Sequence, residues 1–176
     1  TVSGAVISGN STLGYGGGIY MDFHWLESGQ QTLTGLVVTD NAALWGGGLA
    51  VRGSSNTVTG SVVSANSATA GGGVFTNTGT LLLETTDIEG NLAADGAGMW
   101  IEGSASVTGT ALAFTGNEAS WAGGAIGFGG GSGSFSVLDD HRWLKDFYGF
   151  LEHVAIPRAL PVFASCFGFQ ALVVAG

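Results

Sequence analysis

The stretch Phe114-Thr-Gly-Asn-Glu-Ala-Ser-Trp-Ala-Gly-Gly-Ala-Ile-Gly-Phe128 decides the fold, because four other segments repeat its grammar. Aligned on the asparagine, they are ISGNSTLGYGGGIYM, VTDNAALWGGGLAV, VSANSATAGGGVFT and IEGNLAADGAGMWI. The asparagines are Asn10, Asn41, Asn66, Asn91 and Asn117, spaced 31, 25, 25 and 26 residues apart. The long first interval holds DFHWLESGQ, Asp22 to Gln30, which reads as a loop inserted between two units.

Each unit has an apolar residue three before the asparagine: Ile7, Val38, Val63, Ile88 and Phe114. After the glycines comes a period-two pair: Ile19/Met21, Leu49/Val51, Val74/Thr76, Met99/Ile101 and Ile126/Phe128. Alternation of this kind buries one strand face and exposes the other. Four units add an apolar residue eight before the asparagine, Val2, Leu33, Val58 and Leu83; the fifth shifts, with Val107 ten before. A unit of about 25 residues cannot bury its own apolar face and must stack on its neighbours. Stacked strands of equivalent position then pair in parallel at about 4.8 Å. The expectation is an all-β chain: a single parallel β-helix (solenoid) of about five coils over residues 1–134, right-handed by the crossover rule.

Composition agrees. The 176 residues include 33 Gly, 2 Pro and 10% charged residues, with 45% hydrophobic ones. Collagen would need glycine at every third position and more proline, and a disordered linker would hold less apolar residue. The net charge of −9 leaves no basic patch for phosphates, so nucleic acid is not an expected partner. The one cysteine, Cys166, excludes an internal disulfide. The chain opens inside a strand-like pattern without an initiator Met, which points to a processed chain or a piece of a longer protein.

Phe114-Thr-Gly-Asn117 followed by Gly123-Gly-Ala-Ile126 resembles the polymorphic outer membrane protein repeat, a Phe-x-x-Asn paired with Gly-Gly-Ala-Ile/Leu. The other units replace Phe by Val or Ile, and Ala by Gly. The resemblance covers about residues 1–134. It implies a right-handed β-helical passenger of an autotransporter-type bacterial surface protein, and hence an extracellular or outer-membrane, cell-surface location.

Asparagine accepts left-handed turn geometry and can hydrogen-bond up a stack, so the five asparagines read as structural. The glycines read the same way. A phosphate loop would need a following helix and usually a lysine, and no lysine precedes Lys145. Thr32-Leu-Thr-Gly35, Thr57-Val-Thr-Gly60 and Ser106-Val-Thr-Gly109 suggest hydroxyl rows of the kind an ice-binding β-solenoid would display. The fourth unit has Leu81-Leu-Leu-Glu84 there, and the fifth is out of phase.

The residues left free by the repeat grammar are aromatic. Tyr20, Phe75 and Trp100 lie between the two inward residues of their strands, Tyr15 and Trp45 precede the glycines, and Trp121 lies in the same turn. Rings on an outer face can stack on sugars or anchor a partner. The expected function is a non-catalytic structural or adhesive module that binds a host or cell-surface protein or glycan through these residues. The competing reading is a polysaccharide-active enzyme, pectate lyase-like or glycoside hydrolase-like, which needs converging carboxylates with a base or cation. Its candidates are Asp22, Glu27, Asp40, Asp87, Glu89, Asp95, Glu102 and Glu118, with Arg52 and His24. By phase, Asp40, Glu89 and Thr115 share a column, and Asp87 lies two before Glu89. No catalytic, cofactor or metal residue is assigned on this pattern.

Residues 135–176 break the style and form a non-repeat tail. Trp143, Phe147, Phe150 and Leu151 give Asp140–His153 a helical period, so this segment is expected to be partly helical and to cap the rod. Asp140, His141 and His153 read as exposed helix residues before metal ligands. The apolar run after Arg158 approaches the length of a membrane span, so membrane association through it is one expectation and a capping segment the other.

Overall fold

A computed structural model describes residues 1–22, 30–53, 55–129 and 162–164. It is an all-β parallel solenoid. The first coil holds β1 (Val2–Ser3), β2 (Val6–Ser8) and β3 (Ile19–Asp22); the second holds β4 (Gln30–Thr34), β5 (Val37–Thr39) and β6 (Leu49–Arg52). The third has β7 (Ser55–Thr59), β8 (Val62–Ser64), β9 (Ser67–Ala70) and β10 (Val74–Thr76). The fourth has β11 (Thr80–Glu84), β12 (Asp87–Glu89), β13 (Leu92–Asp95) and β14 (Met99–Ile101). The fifth has β15 (Ser106–Thr110), β16 (Ala113–Thr115), β17 (Glu118–Ala122) and β18 (Ile126–Phe128). A last strand, β19 (Val162–Ala164), comes from the tail.

Equivalent strands stack into four sheets. Sheet 1 runs β1-β4-β7-β11-β15, sheet 2 β2-β5-β8-β12-β16, sheet 3 β9-β13-β17, and sheet 4 β3-β6-β10-β14-β18-β19. Isolated bridges Ser11↔Ala42, Ala42↔Ser67, Tyr15↔Trp45 and Trp45↔Ala70 carry sheet 3 back into the first two coils. The repeat spacing therefore sets the register, since each residue pairs with its counterpart one unit on.

The core is the stack of inward residues that the alternation marked. Val38, Val63 and Ile88 from sheet 2, Leu33, Val58 and Leu83 from sheet 1, and Leu49, Val74, Met99 and Ile126 from sheet 4 form one cluster. Removing such a side chain from water contributes about 1.5–3 kcal/mol. The fifth unit departs at sheet 1. Val107 pairs with Leu81, and Gly109 stands opposite Leu83 in the inward column. A Cβ on Gly109 would lie 2.4 Å from Leu112 Cδ1, so the buried Leu112 fills the space left by the missing side chain. Thr108 and Thr110 pair with Leu82 and Glu84, which themselves follow Thr57 and Thr59. Ser106-Val-Thr-Gly109 itself is out of phase by two residues, as expected, since Val107 stands opposite Leu81; Thr108 and Thr110 carry the rows in the fifth coil, and Leu82 and Glu84 interrupt both.

Three corners of each coil turn through left-handed backbone. One follows sheet 1, at Gly4, Gly35, Gly60, Thr85 and Ala111; one follows sheet 2, at Gly9, Asp40, Ala65, Gly90 and Gly116; the third precedes sheet 4, at Gly16, Gly46, Gly71, Gly96 and Gly123. Thr85 is β-branched and is held there at φ 46°, a strained choice for such a residue.

Beyond the fifth coil, β19 pairs in parallel with β18, Gly127 opposite Phe163. A segment of the tail thus supplies a further strand of sheet 4. The helix expected over 140–153, with Asp140, His141 and His153, lies outside the described residues, as does the rest of the apolar run. No helix among the described residues is long and apolar enough to cross a membrane.

Candidate functional site

The asparagines form one column. Asn66 donates from its backbone N–H and from Nδ2 to Asn91 Oδ1, at 3.0 and 3.1 Å, and from Nδ2 to Val38 O at 2.9 Å. Its own Oδ1 accepts from Asn41 N–H and Nδ2, both at 3.0 Å. The pattern recurs from Asn10 to Asn41 and from Asn91 to Asn117. Asn41, Asn66 and Asn91 are at most 1% exposed. Every amide hydrogen and oxygen of Asn66 is used, which is what a buried amide requires. The left-handed conformation expected of the asparagines falls one residue earlier, on Gly9, Asp40, Ala65, Gly90 and Gly116. That shift lets each amide point inward along the stack.

The glycine turns that follow bend the chain so sharply that sheets 3 and 4 meet in a concave corner. Gly71 has φ +67°, and a Cβ there would lie 3.0 Å from Phe75 Cα. Gly46, Gly96 and Gly123 make the same approach to Ala50, Trp100 and Gly127. The residue before each turn and the one after it therefore border one corner. The two columns read Tyr15, Trp45, Ala70, Asp95, Ala122 and Tyr20, Ala50, Phe75, Trp100, Gly127.

Four of the expected aromatic residues come together here. The Tyr15 ring stacks on Trp45 at 4.8 Å and 22°, and on Tyr20 at 5.5 Å and 17°. It also meets Phe75 at 5.7 Å with a 50° tilt. Ala50 stands between Tyr20 and Phe75 in their column, and its small size leaves the space into which Tyr15 leans. Phe75 is 1% exposed, so its ring is packing within the corner, correcting the expectation of an outward contact residue. Tyr15, Trp45 and Trp100 are half-buried, whereas Tyr20 is 42% exposed. Trp100 leans the other way, towards the fifth coil. A Cβ on Gly127 would lie 2.5 Å from Trp100 Cε3 and one on Gly129 3.1 Å from its Cζ2, so two glycines form the floor for that indole. Trp121 is 84% exposed on sheet 3 and sits apart, where β17 is shifted in register against β13.

A polar column borders the aromatic one. Asp22 pairs in register with Arg52, and Arg52 Nε donates to Asn77 Oδ1 at 3.2 Å. Tyr20 Oη donates to Asp22 Oδ2 at 2.6 Å, Arg52 Nη1 donates to Tyr20 Oη at 3.3 Å, and Arg52 lies 3.9 Å from Asp22. The guanidinium is also 5.0 Å from the Tyr15 ring centroid, within cation–π range. Trp100 Nε1–H donates to Glu102 Oε2 at 3.1 Å. Burial, and then the hydrogen bond to Asp22, push the Tyr20 hydroxyl up; the bond to Tyr20 pushes Arg52 up. Asp95 is raised by desolvation.

Among the described residues, the acidic residues of the enzyme reading do not converge. Glu89 shares its column with Ser64 and Thr115, but Asp40 belongs to the next column, opposite the glycine and alanine turns. Ser64, Ala65, Glu89, Gly90, Thr115 and Gly116 line a shallow, open depression of about 380 Å³ that holds one carboxylate. Among the described residues no three His, Cys, Asp or Glu side chains gather as metal ligands would. Glu27 and His24 lie outside the described residues.

The fold and repeat define the class as a parallel β-solenoid. No family model, no curated protein and no solved structure matches the chain.

Proposed function

We propose that this chain is a non-catalytic binding module of a secreted or surface-displayed protein, with the corner between sheets 3 and 4 as its contact surface. The observation that carries the reading is the stacked set Tyr15, Tyr20 and Trp45, continued by Trp100, along one concave edge of an otherwise regular rod. Repetition alone needs no ring there, since Ala70, Ala122 and Gly127 occupy the same columns. Partly exposed rings on a rigid scaffold offer a large contact area at little entropy cost on binding. The repeat motif of the fifth coil supports a place among polymorphic outer membrane protein-like passengers.

Beads coated with the protein test the reading on intact mammalian cells, bacterial cells and plant cell-wall fragments. Adhesion to at least one surface is expected, with loss in the Tyr20→Ala/Trp100→Ala double variant. Adhesion to none, or adhesion that the double variant retains in full, would overturn it. Release of reducing ends from polysaccharide would favour the enzyme instead.

A further inference from the structure

Resting on that reading, we infer that the corner binds an uncharged oligosaccharide laid along the solenoid axis. Three features of the corner select this ligand.

The first is the pairing of flat rings with planar polar groups. A pyranose ring presents C–H bonds on its faces and hydroxyls at its rim. The C–H faces match the negative face of an aromatic ring. The hydroxyls need acceptors and donors beside that ring. Three of the corner's rings have one: Asp22 beside Tyr20, Glu102 beside Trp100, and Arg52, which lies over the Tyr15 face. Asn77 joins the row through Arg52. Carboxylate, amide and guanidinium groups held in fixed orientation bond vicinal hydroxyls in pairs.

The second is the length of the row. From the Tyr15 coil to the Trp100 coil is three coil steps, roughly 14 Å at the strand spacing of a sheet. A linear chain of several sugars lies along such a track, whereas a single sugar would meet only one ring.

The third is charge. Asp22, Asp95 and Glu102 border the corner against Arg52, which is the only Lys or Arg among the described residues and is already engaged by Asp22. The whole chain carries −9. A polyuronate or sulfated glycan would meet repulsion along its full length. Asp22 and Glu102, beside Tyr20 and Trp100, disfavour a protein anchor at those rings, because acidic side chains are depleted at the centre of protein interfaces.

The test uses the full chain and a panel of immobilised hexaoses (cellohexaose, maltohexaose, xylohexaose and chitohexaose), with polygalacturonate and heparin as polyanions. Tryptophan fluorescence titrations give the affinities. Saturable binding to at least one uncharged hexaose is expected, little changed between low and high salt. Trp100→Ala should weaken it at least tenfold, and Tyr20→Ala, at a more exposed ring, provides the same readout should Trp100→Ala fold poorly. Val6→Ser, at a residue 71% exposed on sheet 2, should bind as the parent does. Binding to no uncharged glycan, binding to polyanions alone, or full affinity in both aromatic variants would overturn the inference. The bead assay separates the two readings: adhesion that depends on Tyr20 and Trp100 but survives excess hexaose and is abolished by protease treatment of the target surface keeps the contact surface and rejects the sugar. Loss of all adhesion rejects both.

Discussion

The asparagine column and the aromatic corner run side by side up the same rod, yet they obey opposite rules. In the column one residue type recurs in all five coils, and each amide spends its hydrogen bonds on the next. In the corner no two coils are alike: Tyr with Tyr, Trp with Ala, Ala with Phe, Asp with Trp, Ala with Gly. Identity is enforced where a buried group must be satisfied by its counterpart one coil away. Variety is permitted where side chains face outward and need only fit.

That contrast breaks most sharply at Asn66→Ala. The substitution leaves Asn41 N–H and Val38 C=O buried without their partners. A loss of more than about 3 kcal/mol is expected by chemical denaturation, whereas Asn10→Ala, at the exposed end of the ladder, should cost under about 1 kcal/mol. Equal effects at both positions would show that the ladder is not cooperative through its buried part.

Gly72→Ala is the next largest. Its Cβ would lie 2.5 Å from Leu92 O and 2.6 Å from Ala97 O, both backbone atoms of the following coil that cannot yield cheaply. A destabilisation of about 2–3 kcal/mol is expected, seen as a lowered denaturation midpoint. Gly90→Ala, with open space around its Cβ but φ +59°, should cost only about 1 kcal/mol. Reversal of that order would place the strain in the turn and not in the stacking.

In the corner, Trp100→Ala should cost about 1–2 kcal/mol of stability for a half-buried ring, a smaller effect than at Asn66, while removing binding. A stability loss as large as that of Asn66→Ala would make the indole a structural element.

The smallest effect belongs to Asp95. Burial raises its carboxyl above the ordinary carboxylate value, so the folded state binds the proton more readily than the unfolded chain. The carboxylate thus carries a penalty at neutral pH, relieved as pH falls through the folded value and absent below the unfolded one. Asp95→Asn should be slightly more stable than the parent at pH 7, with the difference vanishing in acid; denaturation across that range reads it.

Much of this architecture is legible in the sequence. The spacing of Asn41, Asn66 and Asn91 imposes a parallel stack, because a buried amide repeated once per coil meets its own kind. The alternation at Leu49/Val51 and Met99/Ile101 names the inward face. The shift of Val107 is legible in its distance from Asn117, but the filling of the Gly109 slot is not, since only the reach of Leu112 shows it. The corner was half visible. Tyr15, Tyr20, Trp45 and Trp100 stood out as residues the repeat does not require, but their pairing across the glycine turn depends on the concave bend at Gly46 and Gly96. The sequence names Arg52 only beside His24 as a candidate of the enzyme reading; its bonds to Tyr20 and Asn77 place it beside the rings.

The sequence by itself thus determined the repeat, the parallel register and the inward columns, since these follow from periodicity and from the satisfaction of buried groups. Only the tertiary structure decided which outward residues meet. Side chains separated by an entire coil in sequence become neighbours through coil stacking, and the direction each one leans depends on whether an alanine, a glycine or another ring stands beside it.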